Sequence, residues 1–225
     1  MYRISDLFDL TETYPEAGAY LKGFTYPWEA LSGIQELILK IGERLSPEEF
    51  DHPSETVWIA KTAKVFPSAY VGEYVIIGKH SEVRHSAFIR GNALIGEHVT
   101  VGNSTELKNV ILFNKVQVPH YNYVGDSILG CHAHMGAGSV TSNVKGDKTT
   151  VVVKDGTEKI ETGRKKVGAF LGDRAEIGCN SVLNPGTVIG KNAQVYPLSS
   201  VRGTVPENSI YKHPGEIVEK RPADH

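Results

Sequence analysis

The sequence predicts an all-β fold, a parallel β-helix, and three observations carry that prediction. Aliphatic residues stand at every sixth position from Ile59 through Val65, Val71, Ile77, Val83, Ile89, Ile95 and Val101 to Leu107. Four residues after each comes a side chain that is nearly always small or β-branched: Ala63, Ala69, Val75, Ser81, Ala87, Ala93, Val99, Thr105 and Ile111. The pattern returns at Leu171, Ile177, Leu183, Ile189, Val195 and Val201. A period of six marks a solenoid in which a short strand and a tight turn make one face and three faces close a coil. Equivalent positions then lie roughly 18 residues apart in sequence and about 4.8 Å apart in space, with backbone hydrogen bonds running between coils.

Residues 1–56 lack the repeat and form an N-terminal helical segment. After Pro27 the apolar residues Leu31, Ile34, Leu37, Ile38, Ile41 and Leu45 recur at spacings of three and four, the signature of an amphipathic helix. Pro27 suits its start and Gly42 its end, and its apolar stripe is expected to pack on the main domain. Residues 1–26 and 46–56 read as loop and short extended pieces. The β-helix is expected over 57–205. Within it, a protruding hairpin arm over about 144–167 is signalled by Val151 to Val153 and Lys159 to Glu161 around Asp155-Gly156. The 206–225 extension is rich in charge and proline and is expected to run along the outside or toward a neighbour.

With 225 residues, 40% hydrophobic and 22% charged, and a formal charge of −2, nothing suggests disorder, and no basic surface calls for nucleic acid or an anionic membrane. The N-terminus has no basic region followed by an apolar run, and no apolar stretch is long enough to span a bilayer, so a cytoplasmic location is expected. Cys131 and Cys179 form neither a CxxC pair nor a disulfide framework, which suits a reducing compartment.

Between Leu107 and Asn143 the six-residue count breaks. Phe113 and Pro119 occupy expected aliphatic places, and the repeat restarts out of phase at Val124, Leu129 and Met135. The slip is expected to set His120 where a regular coil would not. A neutral imidazole can take a proton from an attacking amine or hydroxyl near neutral pH, help worth about 10²–10⁴-fold. Counting 18 residues stacks Arg90 on Lys108, two cations that repel unless solvent screens them or an anion such as phosphate sits between them. The Arg164-Lys165-Lys166 run reads as a solvated face.

Six-residue repeats of this kind resemble the left-handed β-helix proteins, which gives the expected hand against the usual crossover rule. More specifically, Gly102 to Lys108, Pro119-His120-Tyr121-Asn122-Tyr123-Val124-Gly125-Asp126, Met135 to Asn143 and the arm through Ala169 resemble one family. That family is the acetyltransferase domain of bifunctional sugar-1-phosphate nucleotidylyltransferases, the archaeal type most closely, over roughly residues 57–205. The resemblance implies an N-acetyltransferase that uses acetyl-CoA as cosubstrate, needs no metal, and acts on an amino-sugar 1-phosphate such as glucosamine 1-phosphate. His120 falls on the catalytic base, and Arg90 and Lys108 on residues that hold the sugar phosphate. Tyr123 and Asn143 match sugar contacts, and Ala137 matches a backbone contact to the acyl group. Cys179 and Pro197 line the coenzyme groove. Family members are homotrimers with sites at subunit interfaces. His134, Val144 and Cys179 stand where the bacterial enzyme has asparagine, tyrosine and serine, which bears on the acceptor, and Lys148 matches a loop lysine only across a gap. The nucleotidylyltransferase domain has no counterpart, so a separate nucleotidylyltransferase is an expected partner.

Two rival readings are carried. One is a non-catalytic β-helix that binds a sugar phosphate or sugar nucleotide. The other is a γ-class carbonic anhydrase-like zinc protein, suggested by His80, His85 and His98 but lacking a suitably placed third ligand upstream, where only His52 lies.

Overall fold

The computed structural model describes residues 1–221. From Val57 the chain winds as a left-handed parallel β-helix of about nine turns. The first face carries Lys64–Val65, Glu82–Val83, Thr100–Asn103, Gln117–His120, His134–Met135, Glu176–Ile177 and Gln194–Val195. The longer strands Tyr70–Ile77, Phe88–Ile95, Glu106–Leu112 and Tyr123–Leu129 each cross one corner and supply both remaining faces.

The period of six reflects the corners. One residue per corner takes a left-handed backbone, at Tyr74, His80, Ser86, Asn92, His98 and Ser104, then Asn109, Lys115, Tyr121, Asp126 and His132. Polar Asn, Asp, His and Ser tolerate this conformation better than branched side chains do. The following residue turns inward and is mostly small or β-branched, as buried Ser81, Ala87, Ala93, Val99, Val116 and Ala133 are. Its hydroxyl, where it has one, is satisfied: Ser81 Oγ donates to the Gly96 carbonyl at 2.8 Å and accepts from the Val99 N–H at 3.0 Å.

The inward aliphatics Ile77, Val83, Ile89, Ile95, Val101, Leu107, Leu112, Val118, Val124, Leu129 and Met135 are fully buried. A second apolar column points outward from the third face: Trp58, Ile76, Leu94, Ile111, Ile128 and Phe170, all buried. Residues 1–50 cover it. The amphipathic stretch after Pro27 begins as a 3₁₀ turn, Pro27–Gly33, and becomes α-helical only over Ile34–Gly42, with Ile34, Leu37, Ile38 and Ile41 buried. Short helices also form at Ile4–Leu7 and Pro15–Leu21, where loop was expected. Trp28 stacks on Tyr26 at 4.6 Å and meets Phe170 at 6.1 Å, while Phe8 packs on Phe113 at 5.2 Å.

The arm is an antiparallel hairpin, Val152–Asp155 with Glu158–Glu161. It lies along the corner between the second and third faces, with Val151 and Val153 buried over Gly186. Gly186 has φ +81°, and a Cβ there would come within 2.9 Å of the Val151 side chain. Within the 206–221 segment the chain continues the solenoid rather than running along its outside. Ser209–His213 pairs in parallel with Gln194–Val195, and Glu216–Glu219 folds back on it as an antiparallel cap. Tyr211 takes the inward place that the count of aliphatics reserves for Val, Ile or Leu.

Candidate active site

The phase slip is real but lies elsewhere than at His120. Corner spacing is six up to Ser104, then five to Asn109, and five again from Tyr121 to Asp126. His120 itself stands in regular register, paired with Asn103 at the end of Gln117–His120. The shortened steps bring Asn109 and Asp126 to one corner on neighbouring coils. They also upset the 18-residue ruler: Ile89 pairs with Leu107, but Gly91 pairs with Lys108, leaving Arg90 as the extra residue.

Arg90 and Lys108 are therefore not equivalent positions on successive coils, and each has a carboxylate partner. Arg90 Nη1 binds Glu106 Oε1 at 2.9 Å, and that hydrogen bond raises the guanidinium pKa further. Lys108 Nζ binds both oxygens of Asp126, at 2.9 and 3.2 Å. Asp126 is 2% exposed and also accepts from Asn109 Nδ2 at 3.0 Å and Asn143 Nδ2 at 2.6 Å. Sequence reasoning assigned it no role. Counting along the sequence could not have found it, because only the backbone conformation shows that Asp126 is a corner residue. Asn143 Nδ2 also donates to Tyr123 Oη at 3.1 Å. Burial, then the Asp126 and Glu106 carboxylates, push the Tyr123 phenol pKa up, so its O–H stays protonated and free to donate. Lys108, Tyr123 and Asn143 thus gather around Asp126, with the Arg90–Glu106 pair near them.

At the opposite edge of the second face a column runs along the corner. His120 is followed on successive coils by Ala137, Cys179 and Pro197, as the pairings of the first face require. Hydrogen bonds fix this column: Gly138 N–H donates to the His120 carbonyl at 3.0 Å, Asn180 N–H to the Ala137 carbonyl and Leu198 N–H to the Cys179 carbonyl. Buried Asn122 locks the His120 coil to the next one. Its Oδ1 accepts the His120 N–H at 3.1 Å, and its Nδ2 donates to the Gly136 carbonyl at 2.9 Å and to Ser139. Asn122 too went unassigned in the sequence. Among the described residues, the His120 ring and the Ala137 N–H make no hydrogen bond.

The two groups are separated by the width of the second face, about 10 Å for three extended residues, with Tyr123 between them. His134 does not join either. It lies on the first face, one coil from Gln117, its Nδ1 2.8 Å from Glu176 Oε2. Lys148 sits in the exposed loop after Asn143, with φ 58°. His80 and His98 stack at 4.9 Å on a different corner, and no group of three potential metal ligands forms among the described residues. No helix among the described residues is long and apolar enough to cross a membrane.

Comparison with known proteins bears on what this geometry serves. The family model described as the GMPPB C-terminal domain matches residues 79–159. The bifunctional protein GlmU of Methanococcus maripaludis is 30% identical over 211 residues, covering 91% of this chain and 51% of that protein. A bifunctional sugar-1-phosphate nucleotidylyltransferase/acetyltransferase of Sulfurisphaera tokodaii is 34% identical over 109 residues, 48% of this chain and 27% of that protein. The chain resembles the GlmU type. The likeness falls in the C-terminal region of these bifunctional proteins, and the chain spans about half the length, or less, of the curated relatives it matches. Among solved structures, a mutant perosamine N-acetyltransferase from Caulobacter crescentus, in complex with CoA and GDP-perosamine, is 18% identical with a TM-score of 0.35. It covers 83% of this chain and 66% of that one.

Proposed function

We propose that this chain is an acetyl-CoA-dependent N-acetyltransferase acting on an amino-sugar 1-phosphate, with His120 as the general base. The observation that carries the reading is the column His120, Ala137, Cys179, Pro197, which stacks a histidine one coil from a backbone N–H, the ring and that N–H both without a hydrogen bond among the described residues. These are the residues that the resemblance to GlmU-type proteins assigns to proton transfer and to the coenzyme groove.

In this reading the sugar amine attacks the thioester carbonyl. A C–N bond forms, the His120 ring nitrogen takes the amine proton, and the Ala137 N–H faces the developing oxyanion. Collapse breaks the C–S bond, and the imidazolium returns its proton to the departing sulfur. The phosphate lies at the Asp126 cluster. Lys108 has three ammonium protons and gives two directions to Asp126, leaving one for the ligand. Arg90 must exchange Glu106 for phosphate; that pair is exposed to solvent, which screens it and makes the exchange easy.

The assembly proposed is a homotrimer. Tyr121 and Leu198 are 64% and 79% exposed on the His120 corner, apolar surface suited to a neighbouring prism that would close the groove. A separate nucleotidylyltransferase partner belongs to the same proposal. The test is to incubate the protein with acetyl-CoA and a panel of amino-sugar 1-phosphates and amino-sugar nucleotides, and to identify N-acetylated product by mass spectrometry. Product from an amino-sugar 1-phosphate is expected. Product from nucleotide-linked sugars alone would move the acceptor assignment, and binding without product would favour a non-catalytic role.

A further inference from the structure

A second concentration of positive charge lies on the same face, centred two coils beyond the Asn143 end of the Asp126 cluster. The outward column that holds Lys108 continues through Gly125, Ser142 and Asn184 to Arg202, four coils on and about 19 Å away at sheet spacing. There the hairpin folds over the coil and forms one wall of an open pocket of about 330 Å³, with Lys154, Lys159 and Arg202 exposed to solvent. Lys145, Lys154, Lys159 and Arg202 line it together with Asn184, and among the described residues no carboxylate does.

The charges are arranged at a cost. Lys154 and Lys159 are directly opposite each other across the hairpin, and like charges in that position destabilise a strand pair. Among the described residues Lys154, Lys159 and Arg202 have no ion-pair partner, while Lys145 meets Asp147 at 3.4 Å. Glu161 lies on the same side of the hairpin as the two lysines but forms no ion pair with either among the described residues. The hairpin is held in this position independently of the cations, by buried Val151 and Val153 and by Thr204 Oγ1 donating to the Lys154 carbonyl at 2.9 Å. The cations are therefore held beside one another at an open pocket whose backbone walls are fixed.

We infer that this pocket is a binding site for the phosphates of a multiply phosphorylated ligand, separate from the acceptor phosphate site. A single carboxylate would offset one of three unpaired cations. A diphosphate, or two phosphates on one ligand, offers enough anionic oxygens for the Arg202 fork and both lysine ammonium groups. The same chemistry could come from a coenzyme or from a free nucleotide acting as a regulator.

Titration calorimetry with inorganic pyrophosphate on the assembled protein tests the inference. Saturable binding is expected, weakening as salt rises and falling at least tenfold in Arg202→Glu and in Lys159→Glu. Thermal melting keeps the variants interpretable: relieving the Lys154–Lys159 repulsion should leave Lys159→Glu at least as stable as the parent. Parallel titrations with coenzyme A separate the sources. A tenfold loss for coenzyme A in Arg202→Glu assigns the pocket to the coenzyme's phosphates, and unchanged coenzyme affinity beside lost pyrophosphate binding assigns it to a separate effector. Absence of saturable pyrophosphate binding, or equal affinity in parent and both variants, overturns the inference.

Discussion

Replacing Asp126 by Asn keeps the shape of the side chain and removes its charge. The carboxylate is 2% exposed and accepts from Lys108, Asn109 and Asn143, so the substitution leaves an ammonium facing an amide and forces one donor against another. Breaking a buried ion pair from one side costs about 3–5 kcal/mol. Lys108 is still 28% exposed and recovers some hydration, which reduces the expected cost of Asp126→Asn to about 2–3 kcal/mol. Lys108→Met strands the carboxylate instead and should cost a similar amount, while the double variant should cost less than the sum, with a coupling of about 1–3 kcal/mol. Equilibrium urea unfolding at one fixed protein concentration reads all four proteins, since oligomerisation would otherwise shift the midpoints. A loss below about 0.5 kcal/mol for Asp126→Asn, or strict additivity, would refute the view that this carboxylate organises the corner.

The two cysteines should differ sharply toward a maleimide at pH 8: Cys179 is exposed and should label quickly, with coenzyme A protecting it if it lines the groove, whereas Cys131 should label only on unfolding. Burial, reinforced by Glu12, pushes the Cys131 thiol up to about 12 from 9.0, so the folded state holds a proton that the unfolded state has released. Its contribution to stability is thus complete below about pH 9 and lost as pH rises toward 12, and a pH series of melts should show a shallower alkaline decline in Cys131→Ala. Trp28→Ala should cost about 3–5 kcal/mol by opening a cavity over Phe170, with urea midpoints as the readout; a cost near zero would mean that the N-terminal segment is a loosely held cover.

The inward half of the fold was legible because a coil repeats one requirement, an aliphatic between two corners, and every count from Ile77 to Leu107 lands on a fully buried side chain. Three things escaped that count. The outward column of Ile76, Leu94, Ile111 and Ile128 sits immediately before the inward aliphatics or their phase-shifted equivalents, so the period describes it equally well whether it meets water or helix. Its partner, residues 1–50, is remote in sequence. The slip was legible from Phe113 and the restart at Val124, yet its location was not, because only backbone conformation reveals that Asn109 and Asp126 are the corner residues. The last coil was hidden because Tyr211 fills an aliphatic place. For the candidate site, motif likeness put Ala137, Cys179 and Pro197 beside His120 without a geometric reason. The single column at one corner supplies that reason, while the separation of His134 from the Asp126 cluster removes the within-chain basis for its acceptor contact.

The most direct measurement is the rate of thiol release from acetyl-CoA in the presence of an amino-sugar 1-phosphate, compared between the parent and His120→Ala at matched oligomeric state. The proposed mechanism predicts turnover by the parent and a fall in kcat of about 10²–10⁴-fold in the variant, with coenzyme A affinity unchanged. Undiminished kcat in His120→Ala, or no turnover by the fully assembled parent, would contradict it.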